Sequence, residues 1–270
     1  MRLIDSHCHL DFGDFDRDRE ALLARCYRQG IDRFVVPGVT AETWPRLMAL
    51  VGSLPGVYGA LGMHPMFLEQ HQNEHLILLR QLLGEWPAVA VGEIGLDFYH
   101  GKQDAVRQCE LFEAQLEIAK QFQLPVILHV RKAHDQTLAI LRRTEVCGGV
   151  VHAFSGSLQQ AKQYQQLGFL LGVGGAITHS RATRLRRTLA ELPLELLVLE
   201  SDAPDMLPAG ATEKRNTSLV LCPVASILAE LHGCDIEQIA EVSSSNMETM
   251  FPLLNVAMTC SSMRFLRSIC

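Results

Sequence analysis

Residues 3–10 read Leu3-Ile4-Asp5-Ser6-His7-Cys8-His9-Leu10, an apolar pair followed by two histidines two positions apart. Side chains alternate between the faces of an extended strand, so His7 and His9 would point one way and Cys8 the other. Two neighbouring imidazoles can bind a divalent metal ion. A lone His-x-His pair is a weak signal that also fits two ordinary surface residues, so its interpretation depends on the rest of the chain.

Seven further apolar, β-branched runs follow this first one, and segments with helical spacing separate them. Such near-continuous apolar runs indicate parallel strands that are buried on both faces. Eight βα units in about 250 residues predict an α/β protein with a (β/α)8 TIM-barrel fold. A doubly wound open sheet is the alternative, but the chain lacks the Gly-rich phosphate loop typical of that fold. The predicted strands are residues 3–9, 33–39, 57–63, 89–96, 126–130, 150–154, 169–174 and 196–201, and the helical segments include 17–29, 42–51, 74–83, 103–122, 134–143, 158–167 and 181–191.

Candidate ligands stand at the ends of five of the predicted strands, and the carboxyl ends of barrel strands meet on one face. Imidazoles and carboxylates without thiolates suit Zn, Mn, Co, Ni or Mg. Each residue also has an ordinary explanation, such as a histidine that ends a strand or an aspartate that caps a helix. Those explanations would have to hold independently at five strands, so the set predicts a metal site. Its members are His7, His9, Glu93, His129, His152 and Asp202.

Composition restricts the class of protein further. The formal net charge of −6 argues against a broadly basic nucleic-acid-binding surface, though not against a nucleic acid held at one metal site. The eight cysteines are scattered without a Cys-x-x-Cys pair, which favours reduced thiols. No signal-peptide pattern and no apolar run of membrane length is present. We therefore expect a cytoplasmic location and no membrane partner.

The chain shows no linker or change of composition before residue 252, so we expect one domain over residues 1–252. Residues 253–270 differ, because they carry Cys, Met, Arg and Ser without a clear periodicity. They are predicted to form a poorly ordered C-terminal tail, with a short partner-binding appendage as the alternative.

Six segments, in order, resemble the signature motifs of the TatD family of metal-dependent hydrolases, and within it the bacterial YjjV-type branch. The segments are DSHCHL, GMHP, GEIGLDFY, ILHVRKA, VHAFSG and LESDAP. The resemblance extends from residue 3 to about residue 251, where Asn246 and Phe251 are similar to the closing Asn-x-x-x-x-Phe pattern. It implies a distorted barrel of the amidohydrolase superfamily. The chain departs from the family's Arg-Asn-Glu-Pro segment at Thr217-Ser218, which leaves the loop after the eighth strand uncertain.

The resemblance also implies roles for individual residues in a site for two divalent metal ions. Asp202 would both bind metal and orient or deprotonate the attacking water, and Asp202 and Glu93 are the expected catalytic residues. His64 and Arg131 would lie near the substrate phosphate, although His64 could be a turn residue and Arg131 a surface cation. The ligands implied are His7, His9 and Asp202 for one ion, His129 and His152 for the other, and Glu93 as the bridge.

Three functions follow from this interpretation. The first is a metal-dependent phosphodiesterase acting on DNA, a 3′–5′ exodeoxyribonuclease on single-stranded ends that works as a monomer; the DNA substrate is implied by the resemblance alone. The second keeps the site but hydrolyses an ester, lactone or amide, including an aminoacyl ester on tRNA, because fold and metal set do not fix the substrate. The third is a non-catalytic binding protein that uses the site for stability or a partner.

Overall fold

The computed structural model describes residues 1–256, and within them eight parallel strands form the wall of a barrel. All eight predicted strands are confirmed, although most end one to four residues earlier than expected. The distorted (β/α)8 barrel is therefore the observed fold. The strands are β1 Leu3–Asp5, β2 Ile31–Pro37, β3 Val57–Ala60, β4 Val91–Asp97, β5 Val126–Arg131, β6 Gly149–Val151, β7 Phe169–Val173 and β8 Leu197–Leu199.

The distortion lies in two places where the ladder of hydrogen bonds is thin. One sheet contains β1, β2 and β3, and the other runs from β4 to β8. The two sheets meet at an isolated bridge between Leu61 and Val91. At the other seam, between β1 and β8, the backbone amide of Ser6 donates to the carbonyl of Leu199 at 3.0 Å. At both places the barrel is thus closed by a few backbone hydrogen bonds rather than by a full strand pair.

Nine α-helices surround the strands in the described part of the chain, and the eighth strand is followed by two of them. No single helix within residues 1–256 has both the length and the apolar composition to cross a membrane. One pair of helices, Ser218–His232 and Ile236–Met250, has that length and composition when the two are taken together, but the pair is bent by 107°. The helices are α1 Arg19–Arg28, α2 Trp44–Ser53, α3 Asn73–Glu85, α4 Ala105–Gln121, α5 His134–Thr144, α6 Leu158–Gln166, α7 Thr183–Ala190, α8 Leu221–His232 and α9 Ile236–Met250.

Local sequence explains why α8 and α9 are separate helices. Gly233 ends α8 in the left-handed conformation, with φ of 65°, which glycine adopts without steric cost. Asp235 then caps α9, since its side chain accepts a hydrogen bond from the backbone amide of Gln238 at 2.7 Å. The chain therefore turns sharply and α9 runs back beneath the barrel.

The end of α9 and the short 3-10 helix Pro252–Asn255 close the amino-terminal end of the barrel. Phe251 and Leu254 are buried there among side chains of the barrel interior. Buried Arg33 donates to the carbonyl of Leu254 at 3.1 Å, and the Tyr58 hydroxyl donates to the same carbonyl at 3.0 Å. The domain boundary predicted at residue 252 falls inside this short helix, and residues 257–270 of the predicted tail lie outside the described residues.

His134, the first residue of α5, makes the stability of the fold sensitive to acid. Its Nδ1 lies 3.2 Å from the Tyr164 hydroxyl, and burial lowers the pKa of His134 to about 4. In the unfolded chain the imidazole of His134 takes up a proton near pH 6.5. The contribution of His134 to the unfolding free energy is therefore fully present above that pH and is lost as the pH falls toward 4. We expect about 2 kcal/mol of unfolding free energy to be lost through this residue between pH 7 and pH 5.

Urea unfolding of wild type and His134→Asn at both pH values measures this contribution. The variant keeps a polar group near the Nδ1 position but cannot titrate. Its loss of stability between pH 7 and pH 5 should be smaller than that of wild type by about 2 kcal/mol. Equal losses in the two proteins would assign the acid sensitivity to other groups.

Candidate metal centre

His7 and His9 lie just beyond β1, which ends at Asp5, so their shared direction comes from the loop and not from strand alternation. Their Nε2 atoms are 3.3 Å apart, and both rings are buried. Cys8 points the other way, toward the Val35 carbonyl at 3.7 Å, and burial raises the pKa of its thiol well above the usual value. The expectation that Cys8 faces away from the histidines agrees with this placement.

Asp202 comes to the same point from the end of β8. Its Oδ1 is 3.6 Å from the Nε2 of His7 and 3.7 Å from the Nε2 of His9. Its backbone amide donates to the carbonyl of His7 at 2.9 Å, which ties the two loops together. These three side chains form one group whose donor atoms all lie within 4.8 Å of one another.

Asp5 fixes the relation between these loops from below. Its buried carboxylate accepts hydrogen bonds from the backbone amide and the hydroxyl of Ser201, at 2.9 and 2.6 Å. It also accepts a longer bond from the amide of His7 at 3.3 Å. Burial raises the pKa of Asp5 to about 6 in spite of these bonds. Asp5 belongs to the motif at residues 3–10, but no pattern in the sequence predicts that it joins β1 to the loop after β8.

Glu93, on β4, lies between the other histidines and is almost completely buried. One carboxylate oxygen is 3.2 Å from His7 Nε2, and the other is 3.0 Å from His129 Nδ1 and 3.2 Å from His64 Nε2. Glu93 therefore belongs to two further groups of possible ligands, one with His7 and His152 and one with His64 and His129.

The grouping of the histidines differs from the expected one in two respects. His152 stacks on His7, with ring centroids 3.7 Å apart, and none of the three groups within residues 1–256 contains both His129 and His152. His64 takes a place beside His129, with ring centroids 4.3 Å apart, among candidate ligands rather than at the rim. From the His64-Pro65 motif we expect a substrate contact. The three-dimensional structure shows in addition that His64 lies where it could bind a metal ion together with Glu93 and His129.

Asp97 orients His129 from the side opposite Glu93. Its Oδ2 lies 2.9 Å from His129 Nε2. Its other oxygen accepts a hydrogen bond from the backbone amide of Tyr99 at 2.8 Å, which fixes the carboxylate. Asp97 lies within the quoted GEIGLDFY motif, so the residue was visible in the sequence but its contact with His129 was not.

Glu200 supports His152 in a similar way. Its Oε2 is 3.2 Å from His152 Nδ1, and its Oε1 accepts from the amide of Ala153 at 2.7 Å. Burial lowers the pKa of His152, but Glu200 and Asp202 together raise it well above the usual value. The space for Glu200 depends on Gly172, where a Cβ would lie 2.1 Å from Oε2.

We expect Glu200→Gln to weaken metal binding by about 10- to 100-fold, because a carboxylate beside a ligating histidine fixes its orientation and raises its basicity. Titration of the metal-free protein with Zn²⁺ or Mn²⁺ measures this loss. Glu117→Gln, the same change at an exposed position of α4, is the control and should leave the affinity unchanged. Wild-type affinity in Glu200→Gln would exclude this supporting role.

The two candidate catalytic carboxyls are both ionised at neutral pH. Burial by itself would raise the pKa of Glu93, but His64 and His7 hold it well below its usual range. Burial acts in the same direction on Asp202, yet His152 brings the pKa of that carboxyl down to about 2. A buried negative charge on Glu93 and a partly buried one on Asp202 thus face several imidazoles, an arrangement that favours bound cations.

Arg131 stands at the rim and does not contact the ligand groups directly. Its side chain is 43% exposed and lies 3.9 Å from Asp97. Its guanidinium stacks on the ring of Tyr99, 3.6 Å from the centroid. Arg131 is therefore an oriented cation with free donors at the mouth of the site.

A cavity of about 560 Å³ opens beside these residues. Its lining includes Arg131 and three candidate ligands, His129, His152 and Asp202. The apolar part of the lining consists of Val173, Ala176, Phe154, Leu185, Leu189 and Met206.

The loop after β8, where Thr217-Ser218 departs from the family pattern, packs against the site. Asn216 is buried, and its side chain donates to the carbonyls of Ser201 and Met206 at 2.7 and 3.2 Å. Ser218 is buried as well. Although Thr217-Ser218 departs from the family pattern, the hydrogen bonds of Asn216 still hold this loop against the site.

The residues present fit divalent cations. The converging atoms are imidazole nitrogens and carboxylate oxygens, the set that binds Zn, Mn or related ions. His7, His9 and Glu93 offer these atoms from buried positions, where unneutralised carboxylates are costly. The group of His7, Glu93 and His152 shares His7 with one of the other groups and Glu93 with the other, so the three form one continuous centre.

Comparisons with known proteins identify the family and the relatives of this chain. A sequence model described as TatD related DNase matches residues 4–252. The uncharacterized metal-dependent hydrolase YjjV of Escherichia coli K12 is 44% identical over 253 residues, covering 93% of this chain and 98% of that protein. The crystal structure of the YjjV TatD homolog from Escherichia coli K12 has a TM-score of 0.89 at 43% identity and covers 93% of this chain and 98% of the other. The 3'-5' ssDNA/RNA exonuclease TatD of Cronobacter sakazakii is 30% identical over 256 residues, covering 92% of this chain and 97% of that protein. The resemblance predicted from the motifs is confirmed.

Proposed function

Because this chain belongs to the TatD family of metal-dependent hydrolases, we propose that it cleaves phosphodiester bonds of DNA as a 3′–5′ exonuclease on single-stranded ends. The observation that carries the proposal is the convergence of histidines and carboxylates around His7 and Glu93, beside a cavity with Arg131 at its rim. The relative from Cronobacter sakazakii, whose name states a 3'-5' ssDNA/RNA exonuclease, supports the choice of strand and polarity.

The proposed site holds two divalent cations. Asp202 would hold the first together with His7 and His9, and Glu93 would bridge to the second. His129 and His152 remain the proposed ligands of the second cation, and the position of His64 makes it a further candidate.

Divalent cations, when bound here, would polarise the phosphoryl oxygens and lower the pKa of a water molecule so that it can act at neutral pH. Asp202 is 15% exposed and lines the cavity, so its ionised carboxylate can orient a water and accept a proton from it. Arg131 would bind the phosphate, because its planar set of donors matches phosphate oxygens.

The shape and lining of the cavity suit a strand end. Its apolar side, which includes Phe154 and Leu189, can receive a nucleobase, whose flat face is largely apolar. A base must leave its stack to enter such a recess, which costs least in a single strand. The combination of a phosphate-binding cation, ionised carboxylates and an apolar recess favours a nucleotide over a purely aliphatic ester.

Labelled oligonucleotides test the function. Metal-loaded protein is incubated with 5′-labelled and 3′-labelled single strands, with duplexes, and with ester, amide and aminoacyl-tRNA substrates. We expect progressive shortening of 5′-labelled single strands from the 3′ end, and loss of this activity in Arg131→Ala at unchanged metal content. Turnover confined to esters or amides, or no cleavage with Mg²⁺, Mn²⁺, Co²⁺ or Zn²⁺ at verified occupancy, would overturn the proposal.

A further inference from the structure

Helix α7 presents two different surfaces beside the cavity. Leu185 and Leu189, one turn apart, line the apolar side of the cavity. Arg186 holds the helix in place, since it donates to the carbonyls of Ile177 and Thr178 at 2.9 and 3.3 Å. The inner surface of α7 is therefore a fixed wall of the site.

The outer surface of the same segment is basic. Arg181, in the turn before α7, and Arg184 and Arg187, on the helix, are all exposed. None of the three forms an ion pair with an acidic residue within residues 1–256. We call these three residues the arginine strip. Three unpaired cations within seven positions are notable in a chain whose formal net charge is −6, because they oppose the overall charge.

The position of the arginine strip places it next to the mouth of the site. Since α7 follows β7, its first turn lies at the carboxyl end of the barrel, where the candidate ligands converge. Arg184 and Arg187 are about 4.5 Å apart along the helix axis and lie on one side of it. A chain of negative charges leaving the cavity across α7 would meet them in succession.

We propose that the arginine strip binds the phosphate backbone of a single-stranded nucleic acid behind the end that occupies the cavity. The proposal rests on the proposed function, and it adds a surface that holds the uncleaved part of the strand. It accounts for strand binding by an acidic protein, because the contact needs only a local basic track and not a basic surface overall. Arg131 would act at the reacting phosphate, whereas the arginine strip would act on phosphates that do not react.

Binding and cleavage are measured for wild type and two triple variants. The first, Arg181→Ala/Arg184→Ala/Arg187→Ala, removes the arginine strip. The second, Arg25→Ala/Arg28→Ala/Arg80→Ala, removes the same charge from exposed positions on α1 and α3. Fluorescence anisotropy with a 20-nucleotide single strand, in metal-free protein, gives Kd at several salt concentrations. Cleavage of the same strand and of a dinucleotide is followed in metal-loaded protein.

We expect the strip variant to bind the 20-nucleotide strand at least about tenfold more weakly, with a salt slope reduced by about 2, since each single-strand phosphate contact contributes about 0.7. Its cleavage of the dinucleotide should match wild type, and the control variant should match wild type in all three measurements. Wild-type Kd and slope in the strip variant, or an equal loss in the control, would overturn the proposal. Failure of wild type to cleave either substrate would count against the proposed nuclease function, while the metal-free binding measurement would still decide the role of the strip.

Discussion

Glu93→Gln is expected to lower the metal content by at least one cation per chain and to lower the rate of phosphodiester hydrolysis by at least about 10³-fold. Glu93 contacts His7, His64 and His129 and belongs to two of the three groups of candidate ligands. Each bound cation contributes several kcal/mol to stabilising charge in the transition state, and 1.36 kcal/mol corresponds to a factor of ten. Glutamine keeps the volume of the side chain but removes the charge that joins the groups.

Elemental analysis and a nuclease assay on the same preparation measure both effects. Glu117→Gln, at an exposed position on α4, controls for loss of a glutamate charge and should keep wild-type metal content and rate. Circular dichroism should show a folded barrel in both variants. Full metal content with full activity in Glu93→Gln would contradict the role of Glu93 as the bridge.

Asp202→Asn is expected to separate turnover from metal content. Asp202 belongs to only one group of candidate ligands, with His7 and His9, while His64, His129 and Glu93 remain intact. We therefore expect the variant to retain about one cation but to lose about 10³-fold or more in kcat, because it loses both a ligand and the carboxylate that receives the proton from water.

Asp205→Asn is the matched control, because Asp205 follows on the same loop and lines the same cavity but belongs to none of the groups of candidate ligands within residues 1–256. Its kcat should change far less. Metal analysis and single-turnover cleavage of a labelled strand distinguish the two variants. Equal kcat values in Asp202→Asn and Asp205→Asn would assign the proton transfer to another group.

Much of the fold could be predicted from the sequence because parallel strands that are buried on both faces leave long apolar runs. The residues at which the strands end could be predicted less well. β1 stops at Asp5, before His7, because Asp5 is bound to Ser201 of a loop almost two hundred residues away. No pattern local to residues 3–9 contains that contact, so the strand was predicted four residues too long.

The candidate site shows the same division. Barrel geometry brings strand ends together, so the residue types His7, His9, Glu93 and Asp202 could be selected from their positions alone. The side chains that surround each histidine could not be predicted in this way, because they depend on the tilt and stagger of the strands. His64 beside Glu93 is therefore a result of the three-dimensional structure.

The weak pairing between β1 and β8 means that the metal centre also bears on how the barrel closes during folding. His7 and His9 belong to the first strand and Asp202 to the last, and only a few bonds, such as that from Ser6 to Leu199, join these strands directly. A cation bound by these three residues would link the first strand to the last and stabilise the closed barrel. Because Asp202 follows the last strand, a growing polypeptide could complete this group of ligands only after all eight strands had been made.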